Sequence, residues 1–321
     1  MTVKRLTRLW SIARLSHSWT LIRYSLKYRQ LAAVAKFLRS GGQILTYDDK
    51  LLLRWQGIEL TIYVHQLWSL IVLLAMQEYG WLLKPHQDGR YLLTIPGQAE
   101  FVVHQQSLAS DLMVIYERFL EDEYGIFPVA DHIVIDIGAN IGDSAIYFAL
   151  KGAEVHAFEP FSQPFQQLME NIQRNHLEKM IFCHCFGLSA SSQRLLGRYN
   201  PCESLSSTLS GPLMEINENI QGESEEVDTV SLGEVISIVR RISGRDKRIV
   251  LKLDCEGCEF DIVNDLSLSF DDLQQVDAII IEYHHRSPQN MILTLNARGF
   301  KLIRVVPKGP VGLLYFSRNE H

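Results

Sequence analysis

The sequence predicts an α/β chain: a doubly wound, mostly parallel sheet closed by an antiparallel hairpin, behind a mainly helical N-terminal extension. Three observations predict it. From His132 onward, strand-like apolar runs alternate with helix-like amphipathic segments, the pattern of repeated strand-helix-strand units. Four of the runs end in a carboxylate, at Asp136, Glu159, Asp254 and Glu282. The last two runs, Phe300 to Val306 and Val311 to Phe316, are joined by Pro307-Lys308-Gly309-Pro310 and read as a hairpin. With 321 residues, 47% of them apolar, the chain can bury a full core.

The first residues differ in character from the rest. Met1 to Tyr47 holds nine basic residues and no acid, so the remaining residues carry a net charge of −15 against −6 for the whole chain. Residues 1 to about 60 read as helical, broken at Gly41-Gly42, with strands in Ile44 to Glu59 that the pattern does not place. A basic start with Trp10, Trp19, Tyr24 and Tyr28 fits a solvated helix pair or a peripheral contact with an anionic membrane, and fits nucleic acid less well. No continuous apolar stretch with a small-residue cleavage site follows it, which argues against a signal peptide. The longest apolar run, Leu67 to Met76, is about half the ~20 residues of a spanning helix. The expected location is the cytoplasm, in part at a membrane surface.

A helix is expected over Thr61 to Tyr79, one or two strands over Leu92 to His104 around Pro96-Gly97, and a helix over Asp111 to Tyr124 from Leu112, Ile115, Tyr116 and Phe119. Strand Ile133 to Ile137 leads into a helix ended by Gly152. Strand Glu154 to Phe158 precedes a helix capped at Ser162, and a third strand covers Met180 to Phe186. Ser189 to Glu226 reads as an insertion of loops with a hairpin. Ser231 and Glu234 form a capping-box pattern for the next helix. Strand Ile249 to Leu253, a helix through Phe260, Ile262 and Val263, strand Ala278 to Glu282 and a helix from Pro288 to Arg298 complete the series.

Within this series the turn Ile137 to Ser144, reading IGANIGDS, is the expected ligand seat. Glycines at a strand-to-helix turn let a ligand approach the backbone, and free N–H groups at a helix start face it. The spacing Gly138-Ala139-Asn140-Ile141-Gly142 puts Asn140 where a dinucleotide fingerprint has its second glycine. A nucleoside without a pyrophosphate fits better. The four strand-end acids fall where a doubly wound sheet has its crevice, although acids at helix starts are also stabilised by the helix dipole. Five cysteines, Cys183, Cys185, Cys202, Cys255 and Cys258, do not read as a disulfide framework.

Together IDIGANIGD, AFEP, LKLDCEGCE and IEYHH resemble the FkbM-type S-adenosylmethionine-dependent methyltransferases over roughly Tyr124 to Phe316. The resemblance implies the class I, Rossmann-like methyltransferase fold with seven strands in the order 3-2-1-4-5-7-6. The chain is expected to divide into an extension, residues 1–110, basic and helical at its start, and a methyltransferase domain, residues 111–321. The resemblance implies S-adenosylmethionine as cofactor, held by Asp136, Gly138, Ala139, Asn140, Gly142 and Glu159, with Glu159 on the ribose. It maps a K-x-D-x-E-G-x-E signature onto Lys252, Asp254, Glu256, Gly257 and Glu259, and E-x-H onto Glu282 and His284. Cys255 and Cys258 depart from the small or aliphatic residues usual at their positions, and Ser231-Leu232-Gly233 replaces the usual threonine-leucine-aspartate.

In that strand order the cysteines of strands three and four lie too far apart to share a zinc ion, since each strand step is ~4.8 Å and Zn–S bonds are about 2.3 Å. No metal is expected, and small buried thiols are. The resemblance implies O-methylation of a hydroxyl on a sugar, glycan or glycolipid. Such a transfer needs alignment and a base, for which Asp254, Glu256 and His284 are candidates, the last two weighted equally. Lys252 is expected to pair with a carboxylate. Two other readings stay open: a nucleic-acid methyltransferase, which the acidic domain disfavours, and a cofactor-binding module without catalysis.

Overall fold

The computed structural model describes residues 30–47, 50–201, 208–209, 223–244, 246–256, 258–264 and 273–318. The chain divides into two compact units, Met1–Tyr116 and Glu117–His321.

The first unit holds α1 (Leu31–Arg39), an antiparallel sheet of β1 (Gln43–Tyr47), β2 (Lys50–Trp55) and β3 (Ile58–Tyr63), then α2 (Ser69–Glu78). A second antiparallel sheet follows, of β4 (Leu82–Pro85), β5 (Arg90–Ile95) and β6 (Ala99–His104). The segment around Pro96-Gly97, read as one or two strands, forms two, β5 and β6. Among its described residues the extension is otherwise less helical than the sequence pattern implied. Gln56 and Gly57, at φ of 50° and 83°, turn β2 into β3 in the left-handed geometry that suits a two-residue hairpin. The helix expected over Thr61 to Tyr79 is shorter, because Thr61 to Tyr63 complete β3. There the backbone N–H of Tyr63 donates to Gln66 Oε1 at 3.0 Å, which stops the ladder and starts a helical turn. The basic residues up to Arg29 lie outside the described residues.

Helix α3 (Leu108–Phe119) runs from the first unit into the second. The second unit is built on a seven-stranded sheet of β7 (Ile133–Ile137), β8 (Glu154–Phe158) and β9 (Ile181–His184), with β10 (Gly187–Leu188), β11 (Gln193–Tyr199), β12 (Thr208–Leu209) and β13 (Glu223–Val230) forming a separate four-stranded sheet. That small sheet occupies the predicted insertion. The main sheet continues with β14 (Ile249–Leu253), β15 (Val276–His284), β16 (Lys301–Lys308) and β17 (Val311–Ser317). Its order is β9-β8-β7-β14-β15-β17-β16, parallel except where β17 pairs with β15 and β16. This is the 3-2-1-4-5-7-6 order of the Rossmann-like methyltransferase fold.

Helices α4 (Asp143–Leu150), α5 (Ser162–Arg174), α6 (Leu232–Ser243), α7 (Glu259–Asn264) and α8 (Gln289–Ala297) connect these strands. On one face Ile135, Leu251 and Ile279 pack with Val235, Ile236 and Met291. The alternate residues Val134, Val250 and Ile280 are equally buried, so both faces are covered, as a parallel sheet requires. The Ser231–Glu234 capping box forms at the start of α6. Ser162 is instead the first residue of α5, behind Phe161 as N-cap, and its hydroxyl donates to Glu225 at 3.1 Å.

Candidate active site

The glycine turn after β7 closes on the protein itself. The N–H groups of Gly138 and Ala139 both donate to Phe158 O at 3.0 Å, and that of Asn140 donates to Glu159 Oε2 at 3.0 Å. These amides are therefore not the free donors expected from the sequence. The glycines are also explained by packing: a Cβ on Gly138 would lie 1.8 Å from Asp254 O, and one on Gly142 would lie 2.8 Å from Leu168 Cδ1. Both have φ in the left-handed region, as does Asn140 at 46°.

Glu159 is 5% exposed and accepts from Asn140 N–H on one oxygen and Phe161 N–H on the other. Burial pushes its carboxyl up to about 7, against the two amide bonds that favour the charged form. Each oxygen keeps a lone pair for a ribose hydroxyl. Asn140 Oδ1 is buried in the turn without a hydrogen-bond partner. These features fit the nucleoside of S-adenosylmethionine. Asp136 serves the scaffold, since it is fully buried, accepts from the Ser144 hydroxyl at 2.6 Å and pairs with Lys252 Nζ at 2.9 Å. Ala139 is likewise fully buried.

Lys252, at 1% exposure, joins the turn to the next strand. Besides Asp136 it reaches Asp254 Oδ2 at 3.5 Å and donates to Gly138 O at 2.8 Å and Ile137 O at 3.2 Å. Burial disfavours its charge, but Asp136 and Asp254 outweigh that and hold its pKa above the ordinary lysine value. In return, against the upward push of burial, Lys252 and His284 hold Asp254 below the usual carboxylate value.

Beyond Asp254 the chain turns through Cys255 and Glu256, the latter at φ 54°, and enters α7 at Glu259. Glu259 is fully buried and its Oε1 accepts from His284 N–H at 3.0 Å and faces His284 Nδ1 at 3.1 Å. That contact aims Nε2 at Glu256 Oε2, 3.7 Å away, and Asp254 Oδ1, 3.8 Å away. Thus Asp254, Glu256 and His284 come together, and their ligand-type atoms lie within 4.8 Å of one another, close enough to share a proton or an ion. Burial opposes a charge on His284, yet the Glu259 hydrogen bond with Glu256 and Asp254 pushes its pKa up to about 10. Burial, with Asp254 and Glu282 adding repulsion, pushes Glu256 up to about 8 although His284 pulls it down.

Two features were not legible as site elements. Arg118, 3% exposed on α3, pairs with Glu117 at 3.6 Å, Asp143 at 3.5 Å and Glu282 at 3.6 Å, and lies over the Tyr124 ring. Its signal was a cation three residues after Ile115 on an apolar helical stripe. The other is a disulfide between Cys255 and Cys258, whose Cα atoms are 5.6 Å apart. It replaces the expected pair of buried thiols, because a three-residue separation across a tight turn brings the two side chains face to face. With the disulfide reduced, Cys255 and Cys258 would stand with Glu259 in a second group spaced for a metal ion.

Residues 136–302, the segment that carries all of these acids from Asp136 to Glu282, match the methyltransferase FkbM domain. The chain belongs to the FkbM methyltransferase family. No curated protein matches the chain. Among solved structures it is similar to an NADB-Rossmann superfamily protein of Streptococcus agalactiae, at 12% identity and a TM-score of 0.38 over 62% of this chain and 66% of that one. TrmK of M. capricolum in complex with S-adenosyl-homocysteine is similar at 12% identity and a TM-score of 0.37, covering 63% of this chain and 69% of that one. The Streptococcus pneumoniae protein Sp1610 gives 11%, 0.37, 62% and 69% in the same terms.

Proposed function

We propose that this FkbM methyltransferase transfers the methyl group of S-adenosylmethionine to a hydroxyl of a sugar, glycan or glycolipid. The observation that carries this reading is the group Asp254, Glu256 and His284 at the carboxyl ends of β14 and β15, beside the glycine turn. When bound, S-adenosylmethionine supplies an electrophilic methyl carbon on a sulfonium. Asn140 Oδ1 and the Glu159 carboxylate hold its nucleoside, and Lys252 fixes the turn against the loop that carries Asp254.

Methyl transfer to a hydroxyl requires that the proton leave as the oxygen–carbon bond forms. A carboxyl raised to about 8 is a stronger base than an ordinary glutamate when ionised, so Glu256 takes the proton. His284, held as an imidazolium by its carboxylates, orients Glu256 and balances its charge. Asp254, kept ionised by Lys252, accepts a hydrogen bond from the acceptor and sets its angle of approach. Carboxylates of this kind suit a polyol, whose hydroxyls donate. They repel phosphates, and the cations beside them, Lys252 and Arg118, are buried and already paired, which disfavours nucleic acid.

The test is transfer of an isotope-labelled methyl group in a host extract, with identification of the product. Label in a glycan or glycolipid, lost in Asp254→Asn by roughly a hundredfold or more, supports the reading; label in RNA or protein overturns it. For the basic N-terminal segment the same reading places the acceptor at a membrane. Full-length protein should sediment with anionic vesicles, and removal of residues 1–47 should abolish this; equal recovery of both would refute the membrane arm.

A further inference from the structure

The C-x-x-C pair is the one sequence motif that the methyl-transfer site leaves unused. Cys255 and Cys258 are bonded to each other and bracket Glu256. Cys258 N–H also donates to Cys255 O at 3.4 Å, closing the same turn. Both ends of the ring reach the His284 anchor. Cys255 Sγ lies 3.8 Å from Glu259 Oε2, the residue after Cys258 is Glu259 itself, and Glu259 Oε1 holds His284. Within the ring, Glu256 sits in a left-handed conformation with its carboxylate 3.7 Å from His284. For a glutamate that conformation carries a backbone cost, and the closed ring around it helps to hold it. Cys255 is half-buried and Cys258 is buried, so the sulfur open to attack is that of Cys255.

We infer that Cys255 and Cys258 form a reversible disulfide which holds Glu256 in its working position, so that the oxidised chain is the active methyltransferase and a dithiol reductant switches it down. This rests on the reading of Glu256 as the proton acceptor. In the reductive step a thiolate of the dithiol attacks Cys255 Sγ, the bond to Cys258 breaks, and Cys258 leaves as a thiolate that takes up a proton. The second thiol of the reductant then attacks its own sulfur in the mixed disulfide, releasing Cys255 as a thiol. Two electrons and two protons pass to the protein, and the reductant ends as a disulfide. The reduced loop loses its ring closure, and Glu256 is free to leave the left-handed region. Reoxidation by a disulfide of the same class reverses each step.

The experiment equilibrates the full chain in a ladder of reduced to oxidised dithiothreitol. Three quantities are read at each ratio: alkylation of the 255–258 peptide by mass, hydrogen exchange of residues 254–259, and methyl transfer to the acceptor fraction. The pair should titrate as one two-electron couple, loop exchange should rise with reduction, and transfer should fall roughly tenfold to a hundredfold. Cys255→Ser/Cys258→Ser should sit at the reduced level at every ratio, with unchanged binding of S-adenosyl-homocysteine. Transfer that stays flat while the pair titrates overturns the switch. So does a peptide fully alkylated at all ratios, or a reduced pair that retains zinc with activity restored by a chelator. If no acceptor is labelled in either state while loop exchange still follows the couple, the methyl-transfer reading fails and the redox response of the loop stands.

Discussion

In the proposed reaction Glu256 takes the acceptor's proton, and its environment sets the pH at which it can do so. Because burial lifts it to about 8, the rate of transfer should rise with pH, with its midpoint near that value, and level off above it. Glu256→Gln should lower kcat by roughly two to four orders of magnitude and remove the rise; a pH–rate profile in which the variant keeps the wild-type limb would assign the proton to another group. Lys252 is a different case. Its loss leaves Asp136 buried without its cation, so Lys252→Met should cost about 3–5 kcal/mol of stability, measured by urea unfolding. At this scale the sequence was legible where a residue's role follows from its position on a strand: Asp254 and His284 do meet. It was not legible where the role depends on a partner distant in sequence. Nothing local to Gly138 announces Asp254 O, and nothing local to Arg118 announces Glu282.

Among the elements, those with a strong local signal formed where expected. The capping box at Ser231 is one, and Ser231→Ala should destabilise α6 by about 1 kcal/mol, seen as a lowered midpoint in denaturant with an unchanged slope. The elements of the extension were harder to read for a physical reason. Leu51-Leu52-Leu53 is a continuous apolar run, although in β2 only alternate residues of it are fully buried. Ile58 to Tyr63 then flows into the apolar Leu67 to Met76 without a proline or glycine between them. The boundary is set by one side chain, Gln66, turning back onto Tyr63 N–H, which no periodicity reports. Strands β7, β8, β14 and β16 of the second unit carried clearer punctuation, since each is followed directly by an acid or a glycine.

Taken whole, the second unit gathers ionisable groups whose titration couples to folding. Burial raises Asp143 to about 6, Glu159 and Glu282 to about 7, and Glu256 to about 8. Each binds a proton more tightly folded than unfolded, so each makes stability fall as pH rises from the ordinary carboxylate range to its raised value. His284, raised to about 10, adds stability that is fully present below its unfolded pKa and is lost as pH rises through 10. His156 and His184, lowered to about 4 by burial, act oppositely, with stability lost as pH falls from about 6.5 to 4. The ligand-free protein should therefore melt at a higher temperature near about pH 6 than near about pH 8.5; calorimetry showing the reverse order would refute these assignments. Among the described residues no helix is long and apolar enough to cross a membrane.

The place where a Cβ on Gly138 would strike Asp254 O also bears on how such enzymes can be recombined. The glycine turn and the loop after β14, which the proposed function assigns to donor and acceptor, are in backbone contact, with no side chain between them to absorb a change in length. Exchanging residues 254–259 for a relative's loop, to change the acceptor, will succeed only if the glycine turn travels with it. The two loops form one cassette.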